Sequence, residues 1–373
     1  MKITDVEAIV LRRHEPARDI SDGTQDACVV RITTDEGLVG IGEVDSSPEV
    51  VKAAIEAPKS HLTSCGLRQL LLGEDPRDVA RLWEKCYRGS LYFGRRGVGI
   101  HALSGIDIAL WDLAGKAAGQ PVWRLLGGAY RDRVRAYASA LMPNTPVEAG
   151  REAQKWAAQG FTAVKLGWGG FGRSLANDVA LVEAARAAVG DGVELMFDIG
   201  LVWDAATAIQ QVRRMERFRP YWIEEPLPPD DLAGYRRLAD SVDTRIAAGE
   251  QSVTRWDFVE LLEQGRVDVI QPDLAHAGGI TETRRIAELA RLRDVLTVPH
   301  AFKTGILKAA TLHFLAALPD APFLEFCVWD SPLAHDLTEP RFWIERDGTV
   351  AVPQGPGLGI TLNEDVLARY RVA

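Results

Sequence analysis

The sequence predicts an α/β fold: a (β/α)8-type barrel with an N-terminal α+β capping domain completed by the C-terminal tail. Three observations carry this. From about Val134, short apolar runs ending in a polar residue alternate eight times with amphipathic segments of about one helix length, the arithmetic of a closed parallel barrel. The first 125 residues lack that alternation, and from about Glu345 the text again becomes turn-rich and strand-like.

Strand-like runs at Ile3 to Leu11, Ala27 to Thr33 and Leu38 to Glu43 open the chain, with a hairpin turn at Asp35-Glu36-Gly37. Helical stretches follow around Val50 to Glu56, Pro76 to Tyr87 and Gly97 to Ala118, before GGAYRD at 127–132 breaks the pattern. Residues 1–125 are expected to form the capping domain, 126–345 the barrel, and 346–373 a segment packing back on the cap. The eight barrel runs are VRAYAS, TAVKLG, ELMFDIG, YWIEEP, RIAAGE, VDVIQPD, LTVPHA and FLEFCV. Between the second and third, Leu175, Val179, Val182, Ala185 and Val189 recur at helical spacing and mark one buried stripe. The eighth run lacks a clear helix after it.

Composition narrows the function. With 373 residues, 47% hydrophobic and 25% charged, the chain can bury a substantial core and is not disordered. The balance 43 − 52 = −9 offers no positive field for nucleic acid or anionic lipid. Cys28, Cys65, Cys86 and Cys327 form no CxxC pair and suit neither a zinc knuckle nor a disulfide framework. The N-terminal text MKITDVEAIVLRRHE has no apolar segment long enough for a signal or span, so a cytoplasmic protein is expected.

The C-terminal ends of barrel strands converge on one mouth. Here they finish near Lys165, at Asp198, at Glu224 and Glu225, at Glu250, at Asp273, at His300 and at Glu325. Asp198, Glu224 and Glu250 are each 26 residues apart, one strand-and-helix unit per step. Three carboxylates at one height repel unless a cation sits among them, and an oxygen-only set suits Mg2+ better than zinc. Asp273 and His300 lie one unit apart, so the carboxylate can hold one imidazole nitrogen and leave the other to act as general base or acid.

These residues in this order resemble the enolase superfamily and, within it, the mandelate racemase-like branch. ALSGIDIALWDLAGKAAGQPVWRLLGG at 102–128 and the stretch from LMFDIG through WIEEP at 195–226 look like its signatures, and AAGEQ, QPDLAHAGG and PHAFKTG continue the likeness. The resemblance implies that Asp198, Glu224 and Glu250 hold Mg2+ and that Asp273 and His300 form the catalytic dyad. It implies that Glu325 hydrogen-bonds a substrate carboxylate as it becomes an enediolate. Two positions depart from the pattern. Lys165-Leu166-Gly167 stands where Lys-x-Lys is frequent, removing the second base, and Asp198-Ile199-Gly200 stands where Asp-x-Asn is common. Lys165 would then lie near the substrate carboxylate, unless the pocket makes it a substitute base.

A site with one evident base fits dehydration, because one histidine can remove the α-proton and then protonate the departing β-hydroxyl. The expected activity is therefore that of a carbon–oxygen lyase converting a hydroxy or sugar acid, an aldonate or aldarate, to a 2-keto-3-deoxy acid. WGG at 168–170 is similar to a loop among such dehydratases. A racemase, epimerase or sugar-acid lactone cycloisomerase using the same intermediate is the alternative, and a non-catalytic metal and sugar-acid binder a third. Family likeness suggests a homodimer or octamer. The loops His14 to Gln25 and Val44 to Pro48, with Arg18, Asp22, Gln25 and Asp45, are candidates for closing over the mouth. Tyr92, Arg95 and Arg96 either meet a distal carboxylate or lie in solvent; Lys303 either faces the mouth or joins the next helix. The ten tryptophans fill core or supply a sugar platform.

Overall fold

The structure, a computed structural model, describes residues 1–61 and 64–372. The chain opens with an antiparallel sheet in the order β1 (Ile3–Arg12), β2 (Asp26–Thr34), β3 (Val39–Val44). The expected turn joins β2 to β3, with Gly37 in the left-handed region at φ 80°. Helices α1 (Pro48–Glu56), α2 (Arg68–Leu71), α3 (Val79–Gly94) and α4 (Val98–Ala118) follow, and the short α5 (Val122–Leu125) leads toward the barrel. Helix α4 is buried almost all round because it lies against β3 on one side and α11 of the barrel (Gly279–Arg291) on another. Close approach needs bare backbone: a Cβ at Gly40 or Gly42 would strike the carbonyl oxygen of Ala109 or Gly105 in α4. Helix α3 starts later than the sequence suggests. Asp75 accepts a hydrogen bond from the Arg77 amide, and this local turn holds residues 75–78 out of the helix.

The barrel alternates as read. Its elements are β4 (Arg133–Leu141), α6 (Pro146–Ala158), β5 (Ala163–Gly167), α7 (Leu175–Val189), β6 (Glu194–Asp198), α8 (Ala205–Met215), β7 (Trp222–Glu224) and α9 (Leu232–Ala239). There follow β8 (Ile246–Ala248), α10 (Thr254–Glu260), β9 (Val269–Ile270), α11, β10 (Leu296–Thr297), α12 (Gly305–Ala316), β11 (Leu324–Cys327) and the short α13 (Pro332–Asp336). The eight strands are parallel in the order β10-β9-β8-β7-β6-β5-β4-β11. Among the described residues no backbone ladder joins β10 to β11; the Ala301 amide beyond β10 instead donates to Glu325 Oε2 of β11 at 2.7 Å. In α7 the buried residues are Asp178, Leu181, Val182 and Ala185, while Leu175, in the first turn, is exposed.

Strand alternation divides the interior. Tyr137, Met196, Trp222 and Phe323 point inward and pack as a separate apolar cluster with Ala163, Ala247, Val269 and Val298. Tyr137, Trp222 and Phe323 meet edge to face, with ring centroids 5.6 to 6.2 Å apart. The C-terminal segment serves both units. β12 (Thr338–Glu339) pairs with β14 (Thr361–Leu362), β13 (Thr349–Ala351) pairs antiparallel with β4, and α14 (Glu364–Tyr370) lies on β1. Arg31 reaches Glu364 at 3.0 Å, and Arg371 reaches Glu7 at 2.6 Å.

Candidate active site

Two residues beyond Ala163, Met196, Trp222, Val298 and Phe323, the strands carry Lys165, Asp198, Glu224, His300 and Glu325. Lys165, Asp198, Glu250, Asp273, His300 and Glu325 line one cavity of about 430 Å³. Glu224 lies just beneath it, bonded to Lys165 and accepting the Trp222 indole N–H at 2.8 Å. Seven of the eight strand-end residues singled out from the sequence thus converge here.

Asp198, Glu224 and Glu250 each present an oxygen within 4.8 Å of the others, and all three are buried. Burial, then repulsion from Glu224 and Glu250, pushes the Asp198 carboxyl well above its ordinary range. Burial also raises Glu250, whose Oε2 has no hydrogen-bond partner. Crowded, desolvated oxygens with an unspent acceptor are the donor set of a hard divalent cation, so these residues could hold one.

Lys165 is the compensating cation. Its Nζ bonds Glu224, stands 2.8 Å from Glu325 Oε1 and lies 4.0 Å from Asp198. Burial opposes its charge, yet Glu224 and Glu325 outweigh that and hold its pKa well above the usual lysine value. The converse holds at Glu325: burial favours the acid form, but Lys165 and His300 bring it down to about 2. With Lys165 in place Glu325 is an acceptor, so the donor role that the family pattern implies for it requires Lys165 to be drawn away.

Asp273 Oδ2 is 2.6 Å from His300 Nδ1, which leaves Nε2 toward the cavity, 3.6 Å from Glu250 and 4.0 Å from Glu325. Asp273 is itself fixed by the Ala275 amide at 2.6 Å. Burial works against the imidazolium, but Glu250, Glu325 and Asp273 together raise the His300 pKa well above the usual value.

The cap completes the walls with Ile20, Asp22, Gly23, Asp45 and Ser46 from the two loops flagged in the sequence. Lys303, which the sequence could not place, is buried on the loop between β10 and α12. Its Nζ donates to Gly23 O at 2.5 Å and Asp26 O at 3.3 Å and pairs with Asp45 at 3.4 Å, tying both loops to the segment that carries His300. An Asp45 oxygen lies within 4.8 Å of the Asp273 and His300 ligand atoms. Arg18 and Gln25 stay out of the cavity; Gln25 donates to Ala17 O. Tyr92 is 83% exposed and Arg96 pairs with Asp257, so the patch with Arg95 belongs to the outer surface.

Glu225, named from the sequence as a strand end, was given no role there, and His276 and His101 went unread. Glu225 turns inward through a left-handed backbone at φ 41°, donates nothing and accepts the Gly249 amide at 2.8 Å; burial and then Glu250 raise it to about 8. The doubled acid at 224–225 was its signal. His276 lines the cavity, holds Asp45 O at 2.9 Å and stacks on His101 of α4 at 3.6 Å. Nothing in one sequence pairs those two histidines. The two departures from the family pattern also resolve. A Cβ at Gly167 would overlap Asp198, and the space beside Gly200 is filled by the Trp168 indole.

Comparison with known proteins places this geometry. Residues 6–127 match the profile of the mandelate racemase/muconate lactonizing enzyme N-terminal domain, and residues 148–366 match that of the enolase C-terminal domain-like family. A D-galactarolactone cycloisomerase of Agrobacterium fabrum is 36% identical over 92% of this chain and 91% of its own. An arabinonate dehydratase of Saccharolobus solfataricus is 32% identical over 95% and 93%. The crystal structure of a 3,6-anhydro-D-galactonate cycloisomerase from Zobellia galactanivorans superposes with a TM-score of 0.90 at 33% identity, covering all of both chains.

Proposed function

Since the chain belongs to the enolase superfamily, in its mandelate racemase/muconate lactonizing enzyme branch, we propose that it is a Mg2+-dependent dehydratase of sugar acids. Its substrate is an aldonate or aldarate and its product a 2-keto-3-deoxy acid. One observation carries the reading: His300, held by Asp273, faces a cavity lined by Lys165, Asp198 and Glu250 with Glu224 just beneath, while Gly167 supplies no lysine base. The relatives named dehydratases support it.

The substrate carboxylate draws Lys165 toward itself. Glu325, left buried beside an anion, then takes up a proton and donates a hydrogen bond to the developing enediolate. Asp198, Glu224 and Glu250 would hold Mg2+, which when bound would supply positive charge to offset that of the enediolate. His300 Nε2 removes the α-proton, and Asp273 stabilises the imidazolium that results. The same imidazolium protonates the β-hydroxyl as it departs as water, and the enol product ketonises. In D2O, His300→Asn is expected to slow α-proton exchange by about 10²- to 10⁴-fold while Mg2+ still raises the melting temperature. Unchanged exchange would sink the assignment of His300.

A lactone cycloisomerase is the second reading, favoured by the two cycloisomerases among the relatives. Loss of water from the substrate mass separates dehydration from isomerisation. We assign residues 1–125 to the cap, 126–345 to the barrel and the remainder to the tail. All four cysteines are unpaired and buried, which suits a reducing cytoplasm; among the described residues no helix is long and apolar enough to cross a membrane. The exposed run Leu91, Tyr92 and Phe93 supports a homo-oligomer, dimer or octamer, which light scattering would reveal.

A further inference from the structure

Beside the catalytic cavity lies a second one of about 730 Å³. The two share a wall made of Ile20, Ser21, Ala140, Leu141 and Trp168. A sugar acid of six carbons needs only the first, since pockets that bury small ligands begin at about 300 Å³. Trp168 divides the two spaces. It follows Gly167 at the end of β5, and its indole lies on Gly200, where an added Cβ would meet the ring at 3.4 Å. The two glycines that depart from the family pattern thus flank the tryptophan. Trp168 holds a left-handed φ of 49°, which a bulky residue adopts only when its surroundings impose it. They do: a Cβ at Gly169 or Gly170 would strike the carbonyl oxygen of Met142 or Pro143, so the segment after Trp168 is pinned to the loop before α6.

The second cavity is lined by the aromatic side chains of Trp168 and Trp329, with interleaved charges. Lys155 pairs with Glu152 at 3.4 Å and lies 4.2 Å over the Trp156 ring. The cations Lys155 and Arg173 are offset by Asp19, Glu152 and Asp330, so the space holds no excess positive charge for a second carboxylate. Aromatic faces match the C–H faces of a sugar ring, and alternating donors and acceptors match its hydroxyls. We propose that the natural substrate is a sugar acid extended, at the end away from its carboxylate, by a neutral glycosyl unit that occupies this second cavity, with Trp168 as the platform between the two units. This rests on the acid-sugar reading of the first cavity.

The test is calorimetric binding to the His300→Asn protein at saturating Mg2+, using a panel of stereoisomeric hexonic acids and their distally glycosylated counterparts. A glycosylated acid is expected to bind at least about tenfold tighter than its parent. Adding Trp168→Ala is expected to bring the two within about threefold. Arg173→Ala, at an exposed side chain, is expected to weaken only the glycosylated acid, and covers the case in which the Trp168 variant does not fold. Equal or weaker binding of every glycosylated acid, no binding of either kind, or equal losses for both kinds in both variants would overturn the proposal. Failure of the dehydratase reading shows differently: the wild-type protein would leave the α-proton of both acids unexchanged while the binding preference stood.

Discussion

On one inward face of the same strands, Tyr137, Met196, Trp222 and Phe323 pack into a dry floor, while Ser139, Asp198, Glu224 and Glu325, two residues further along, are polar or charged. The floor gains from burial through dispersion and lost hydration. The mouth works against burial: Asp198, Glu225 and Glu250 are all pushed toward the protonated form by desolvation and by one another. Lys165 offsets part of that repulsion. The floor therefore carries stability, and we assign the chemistry to the mouth, whose repulsion a cation and a substrate would relieve.

The largest expected effect tests the floor. Phe323→Ala should lower unfolding free energy by about 3–5 kcal/mol, measured by denaturant titration, while turnover per folded molecule at low temperature stays near wild type. A turnover collapse in folded protein would break the division. Next comes the mouth. Asp198→Asn should leave the metal-free protein at least as stable as wild type, because the amide resembles the protonated acid that burial prefers. It should also abolish turnover and erase the stabilisation by Mg2+, about 2.7 kcal/mol at one hundred times Kd, read by thermal shift.

A smaller effect is expected where the cap meets the mouth. Lys303→Met should raise KM about tenfold with little change in kcat, because it frees the loops at Gly23 and Asp45 but leaves the His300–Asp273 pair intact. Lys303→Arg should restore part of the loss; a fall in kcat alone would place Lys303 in the chemistry instead. The smallest effect sits at the seam between cap and barrel, where burial of Asp107 outweighs the nearby Arg285 charge. Asp107 of α4 accepts from the Thr281 amide at 2.8 Å and its hydroxyl at 2.6 Å, and burial raises it to about 7. The folded chain thus keeps a proton that the unfolded chain loses near its ordinary aspartate value. That stability is fully present below about pH 4 and disappears as pH rises through about 7, with a slope of about 1 kcal/mol per unit. Asp107→Asn should flatten that slope in denaturant titrations; an unchanged slope would show that the seam charge is compensated.

The fold was legible because strand-then-helix alternation repeats eight times and each strand's end is polar. Most of the candidate site was legible for the same reason, since a barrel sends every strand end to one mouth. What the sequence left unplaced depended on neighbours in space. Glu225 faces inward only through its positive φ, His101 and His276 stack across 175 positions of chain, and Lys303 finds its partners in loops at Gly23 and Asp45. The buried stripe of α7 departs from the periodicity at Leu175, the first residue of the helix, whose exposure spacing alone does not encode.

By itself the sequence determined the barrel, the cap and the order of charged residues around the mouth, because periodicity and strand direction are local consequences of side-chain placement. Only the tertiary structure decided which proton each group carries and how far the pocket extends. Those depend on desolvation and on distances of a few ångströms between residues far apart in the chain, as when Lys165 fixes the charge of Glu325 and Trp168 closes the space beside Gly200.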